Sequence, residues 1–124
     1  MRPEDVIVAG THRIIAHARD ASGRARAKLF LDEDCPEDDF ERLHRCFHLI
    51  AYHGERSATD RVFKHEAGPI HAFKGRRARI AAFPSGNTWF LTSGFLKQRD
   101  RWPVAELERA TRIRIEHLTR EGSG

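Results

Sequence analysis

Residues 68–95 read GPIHAFKGRRARIAAFPSGNTWFLTSGF, and this stretch decides the fold. Gly68-Pro69, Gly75 and Pro84-Ser85-Gly86-Asn87 cut it into apolar-rich pieces too short for ordinary helices. The pattern predicts strands over 70–74, 76–83 and 88–95, with tight reversals at Gly75 and Ser85-Gly86-Asn87 making a meander of antiparallel neighbours. Because strand side chains alternate, Arg77, Arg79, Ala81 and Phe83 should share one face of the middle strand and Ala78, Ile80 and Ala82 the other. On the preceding strand His71 and Phe73 are expected to point inward and Ile70, Ala72 and Lys74 outward, which sets Lys74 beside Arg77 and Arg79. The last strand is apolar on both sides, with Trp89, Leu91 and Phe95 on one and Phe90 on the other, as suits a central strand. Its end delivers Lys97 and Arg99.

Upstream, Pro36 suits a first helical position, and Glu37, Asp38 and Asp39 put negative charge where a helix N-terminus attracts it. Phe40, Leu43, Phe47 and Ile50 recur at steps of three and four, and Gly54 stops the helix after His53. A shorter helix is expected over Arg24–Glu33, beginning near Ser22. A first strand is expected within Thr11–Arg19, closed by the turn residues Asp20-Ala21-Ser22-Gly23. Val6-Ile7-Val8 either extends that strand through Gly10 or forms a segment of its own. Arg56 to Asp60 reads as a polar connection.

Downstream, Pro103 opens a helix in which Val104, Leu107, Thr111, Ile115 and Leu118 share a face, leaving Arg109, Arg112 and Arg120 to solvent. Residues 121–124 read as a fraying tail. The expected architecture is α+β in the order β-α-α-β-β-β-α. It has a four-stranded, antiparallel-rich sheet, two N-terminal helices and a C-terminal helix.

The 124 residues suffice for one domain, 1–124, with a core that needs no staple. Cys35 and Cys46 have no metal-ligand spacing and are expected to be reduced. The start, Met1-Arg2-Pro3-Glu4-Asp5, does not resemble a leader or a span, so no membrane association and a cytoplasmic location are expected. The net charge of +4 is unevenly spread. Nine basic and twelve acidic residues up to Asp60 leave −3, whereas thirteen and six beyond it leave +7. A polyanion approached by one face suits this asymmetry.

Lys74, Arg77 and Arg79, flanked by aromatic residues, form a surface able to hold single-stranded RNA through phosphate contacts and base stacking. Read from the residues alone, the same row reads more readily as a solvated sheet face, since basic residues are the ordinary way to keep such a face soluble. His44 and His48, four apart with Glu41 one turn earlier, have the spacing of metal ligands, but no fourth ligand accompanies them and no metal or other cofactor is expected.

Arg13-Ile14-Ile15-Ala16-His17-Ala18-Arg19-Asp20-Ala21-Ser22-Gly23-Arg24, followed by Phe30-Leu31-Asp32, resembles the opening of HigB-like toxins, a branch of the RelE/ParE superfamily of type II toxin-antitoxin systems. Phe63-Lys64-His65 before Gly68-Pro69-Ile70, Arg79-Ile80 with Phe83, Gly94-Phe95-Leu96-Lys97, and Pro103 before Glu106-Leu107-Glu108-Arg109-Ala110 fall in the same order. The likeness runs from about Arg13 to Glu116.

The resemblance implies an mRNA interferase, a bacterial endoribonuclease that cuts messenger RNA on the ribosome by attack of a ribose 2′-OH on the adjacent phosphate. Basic side chains can support that reaction without metal. Carried over by position, Lys74, Arg79 and Lys97 would be the catalytic set, with Arg79 and Lys97 on the phosphate and Lys74 a further ligand or the general base. Arg77, Arg99, Phe83, His65 and His71 would contact RNA. A cognate antitoxin, of helix-turn-helix type in this branch, is implied as partner beside the ribosome. Two positions depart from the pattern: Ser93 stands where many relatives have His, and Ala81 where they have an aromatic residue. The same family also includes gyrase-inhibiting toxins of the ParE kind, and these departures fit a binding module that has lost nuclease activity.

Overall fold

The computed structural model describes residues 1–99 and 101–123. After a 3-10 turn at Pro3–Asp5 the chain forms β1 (Val6–Ala9) and β2 (Ile14–His17), then α1 (Arg26–Glu33) and α2 (Glu37–His53). A 3-10 turn at Glu55–Ser57 leads into β3 (Phe63–Ala67), β4 (Ile70–Lys74), β5 (Ala78–Ser85) and β6 (Thr88–Leu96), and α3 (Val104–Ser123) closes the chain. The fold is α+β around one six-stranded mixed sheet of order β1-β2-β6-β5-β4-β3. All pairings are antiparallel except that of β2 with β6.

The expected meander is present as β4, β5 and β6, but the expected sheet was two strands short. Val6-Ile7-Val8 is a strand of its own, folded back on β2. It turns at Gly10, where a Cβ would overlap the Ala51 carbonyl of α2. The helices therefore follow two strands instead of one. The other missed strand, β3, lies at the sheet edge and buries only Phe63, while Lys64 and His65 stay exposed. An edge strand needs no apolar alternation, so its sequence carried little signal.

The two sheet faces have separate cores. On the first, α1 and α2 place Phe30, Leu31, Leu43, Phe47 and Ile50 over Ile15, Phe73, Ile80, Ala82, Trp89 and Leu91. The second face was expected to meet solvent at Ile70 and Ala72. Instead α3 lies across it, and Ile70, Ala72, Ala81, Phe83, Phe90, Ala110 and Ile113 form a second buried cluster.

The buried side of α3 is only partly the one expected: Leu107 and Leu118 pack against this cluster, but Val104, Thr111 and Ile115 do not. Ala110, Ile113 and His117 face the sheet, whereas Val104 and Ile115 are 69% and 55% exposed. Small Ala110 allows the helix to approach closely, and the His117 ring packs 4.5 Å from Phe90.

One irregularity in β6 governs which face its later residues reach. Ala81 pairs with Ser93 but Ala82 pairs with Leu91, so Thr92 is an extra residue. Its hydroxyl donates to the Ala81 carbonyl at 3.2 Å. Such a bulge reverses the alternation beyond it. Trp89 and Leu91 face α1 and α2 as expected, but Phe95 joins the α3 side, with its ring against Trp102 at 4.7 Å. Gly94 now points at α1, where any Cβ would overlap the Phe30 ring.

Candidate nucleic-acid interface

The apolar cover on the second face ends at Ala72, Ala81, Phe95 and Trp102. The next positions in register carry charge. Lys74 pairs with Arg79 across β4 and β5, Arg79 pairs with Phe95, and the Lys97 amide donates to the Arg77 carbonyl at 2.7 Å. Pairing and alternation therefore put Lys74, Arg79 and Lys97 on one side of the sheet, at one end, in neighbouring strands. Lys97 reaches this side because of the Thr92 bulge.

The three cations affect one another. Burial lowers the Lys74 ammonium below its ordinary range, and the charges of Arg79, Lys64 and Lys97 add to the shift while Glu66 opposes it. Lys74 Nζ is anchored by donating to the Asp60 carbonyl at 2.8 Å. The Arg79 guanidinium is likewise lowered by burial, with Glu66 and Asp39 acting the other way. Its Nη1 donates to the carbonyls of Gly75 and Ala78 at 3.1 and 3.0 Å. Its buried Nε has no hydrogen-bond partner among the described residues. Nη1 is taken up by the β4–β5 turn, while Nη2 has no hydrogen-bond partner among the described residues and keeps its donors for an anion.

Two contributors gave no functional signal in the sequence. Asp39, expected only to favour the α2 N-terminus, is buried and accepts from the Arg77 and Ala78 amides at 2.7 and 2.6 Å. It thereby fixes the start of β5, on which Arg79 stands. Glu66 on β3 supplies the carboxylate whose field reaches both Lys74 and Arg79. Three consecutive acids at a helix start do not reveal which one a later strand will use, and Glu66 lies in the strand that the sequence did not disclose.

The other expected contacts divide. Arg77 and Arg99 are exposed at the same end of the sheet. Arg99 and Arg101 border a cavity of about 660 Å³ with Leu96, Trp102 and Val104. Phe83 is fully buried beneath α3 and stacked on Phe90 at 5.4 Å, so it cannot meet a base. His65 and His71 pair across β3 and β4 on the first face, away from the row. His71 is turned inward as expected, its ring 4.8 Å from Trp89 and 5.3 Å from Phe63. Ser93 and Ala81 pair with each other under α3 and are buried, so neither presents a side chain to a substrate.

His44 and His48 point their Nδ1 atoms at the carbonyls of Phe40 and His44, each at 2.9 Å. Among the described residues no three of His, Cys, Asp and Glu gather as a metal site. Among those residues, too, no helix is long and apolar enough to cross a membrane. Cys35 and Cys46 are free thiols. No known family model matches the chain, and no curated protein matches it.

Proposed function

We propose that this chain is a toxin of the RelE/ParE superfamily, in its HigB-like branch, and acts as a ribosome-dependent mRNA endonuclease. The observation that carries this reading is the alignment of Lys74, Arg79 and Lys97 on one sheet end, with the Lys74 ammonium lowered by burial and by its cationic neighbours. A row of cations of this kind matches the needs of phosphodiester transesterification.

The ribose 2′-oxygen attacks the adjacent phosphorus, the bond to the 5′-oxygen breaks, and the products are a 2′,3′-cyclic phosphate and a 5′-hydroxyl. Arg79 and Lys97 bind the non-bridging oxygens and stabilise the charge that grows on them. Lys74 in its neutral form accepts the 2′-OH proton, which a lowered pKa makes more accessible near neutral pH. The departing 5′-oxygen takes its proton from solvent. In this reading the protein works in the cytoplasm with the ribosome and mRNA. It is silenced by an antitoxin, expected to be of helix-turn-helix type, that covers the same basic end.

The test is brief induction followed by mapping of transcript 5′ ends. Wild type should arrest growth and produce new ends within translated messages, and the Arg79→Ala/Lys97→Ala double variant should do neither. Arrest and cleavage that persist in the double variant would refute the site. Inhibition of gyrase supercoiling by purified protein that spares translated mRNA would assign the chain to the ParE kind instead.

A further inference from the structure

Lys74 belongs to two surfaces. Besides the row on the sheet, it borders a cavity of about 420 Å³ between α2 and the loop before β3, lined by Arg42, Arg45, Cys46, Leu49, Val62 and Lys74. Three of these six residues are cations and none is an acid. Arg42 and Arg45 are exposed on α2, and among the described residues neither forms an ion pair or a hydrogen bond.

Elsewhere several arginines are paired within the chain. Arg13, Arg19, Arg26 and Arg109 all have carboxylate partners. The floor of the cavity is set firmly: Cys46 Sγ donates to the Val62 carbonyl at 3.4 Å, and Lys74 Nζ to the Asp60 carbonyl in the same loop. Two free guanidinium groups beside an apolar floor, with Lys74 at the rim, make a site for an anion of phosphate type, since guanidinium matches phosphate oxygens in pairs.

We propose that the Arg42–Arg45–Lys74 cavity is a second phosphate subsite, which takes a backbone phosphate of the same RNA strand whose scissile phosphate lies on the Lys74–Arg79–Lys97 row. This rests on the proposed nuclease reading, and it extends the substrate contact around the β3 edge onto α2. Lys74, shared by both places, sets their spacing. The contact is with phosphate, so it positions the strand and does not depend on base sequence.

The test uses a short single-stranded RNA built from 2′-O-methyl nucleotides, which cannot undergo 2′-OH attack. Its affinity for the full chain is measured across a salt series, for wild type, Arg42→Ala/Arg45→Ala and Arg79→Ala/Lys97→Ala. Each phosphate contact on a single strand contributes about 0.7 to the slope of log affinity against log salt. The Arg42/Arg45 pair should lower that slope by at least about 0.7 and weaken binding about tenfold at low salt, equally for oligonucleotides of different sequence. Arg42→Lys/Arg45→Lys should restore most of the slope.

If the Arg42/Arg45 variant matches wild type while the Arg79/Lys97 variant loses affinity, the subsite is refuted and the row stands. If only the Arg42/Arg45 variant loses affinity, the shared strand is refuted together with the row. No binding by wild type at low salt overturns the subsite, and transcript mapping then decides the nuclease reading separately.

Discussion

The two faces of the sheet are closed in different ways. Two helices cover the first face, and its aromatic residues interlock, with Phe47 against Phe73 at 4.9 Å and Phe63 against Trp89 at the same distance. One helix covers the second, and its apolar cover ends at Ala72, Ala81 and Phe95. The cationic row begins there. The difference shows how a small domain can keep a strong core and still present charge on a sheet: one face carries stability, and the incomplete cover of the other leaves room for a polyanion.

The largest effect that would sharpen this contrast is expected on the first face. Phe47→Ala should cost about 3–5 kcal/mol in chemical denaturation, because a fully buried ring leaves a cavity between helix and sheet. The opposite signature is expected from Arg79→Ala/Lys97→Ala. Cleavage should fall by about a hundredfold or more, while the unfolding transition moves little. Loss of folding in that double variant would break the division of labour between the faces.

Acid should act on both faces. Burial lowers His17 from its usual value to about 4, with smaller contributions from neighbouring charges. The unfolded chain therefore binds an extra proton between about pH 6.5 and 4. Stability should be fully present above that window and fall as pH drops through it, by about 3 kcal/mol from His17. His117, under α3, is also lowered by burial and adds a loss of the same sign. In urea titrations His17→Leu should flatten the acid slope without abolishing it, and an unchanged slope would refute the assignment.

A smaller effect joins the two faces. Asp39→Ala should cost about 1–3 kcal/mol, since it leaves two backbone amides at the start of β5 without their acceptor. It should also reduce cleavage by displacing Arg79. The smallest effect is expected on the outer side of α3, where Ile115→Ala should change stability by no more than about 0.5 kcal/mol. A larger loss would show that this exposed position is covered.

The meander and the long helix were legible in the sequence because their signals are local. Gly75 and Ser85-Gly86-Asn87 punctuate the strands, and Phe40, Leu43, Phe47 and Ile50 keep helical step. The resemblance to HigB-like toxins singled out Lys74, Arg79 and Lys97, and strand alternation set Lys74 beside Arg79, although Lys97 owes its side to a bulge that no residue announces. The placement of α3 was not legible. Its apolar residues outnumber what one face can hold, so Val104 and Ile115 looked as fit for burial as Ala110 and Ile113. Phe83 was misread for the same reason, because a helix that is distant in sequence decides whether a strand residue meets water.

The extra residue at Thr92 ties the chemistry to a register. Thr92 is the residue the ladder can spare: without it Leu91 would still pair with Ala82 and Ser93 with Ala81, so Phe95 and Lys97 would stay on the side of α3 and Gly94 against Phe30. Kept and drawn into register, the same residue would carry Phe95 and Lys97 through to the side of α1, so the side on which the lysine emerges depends on Thr92 being looped out.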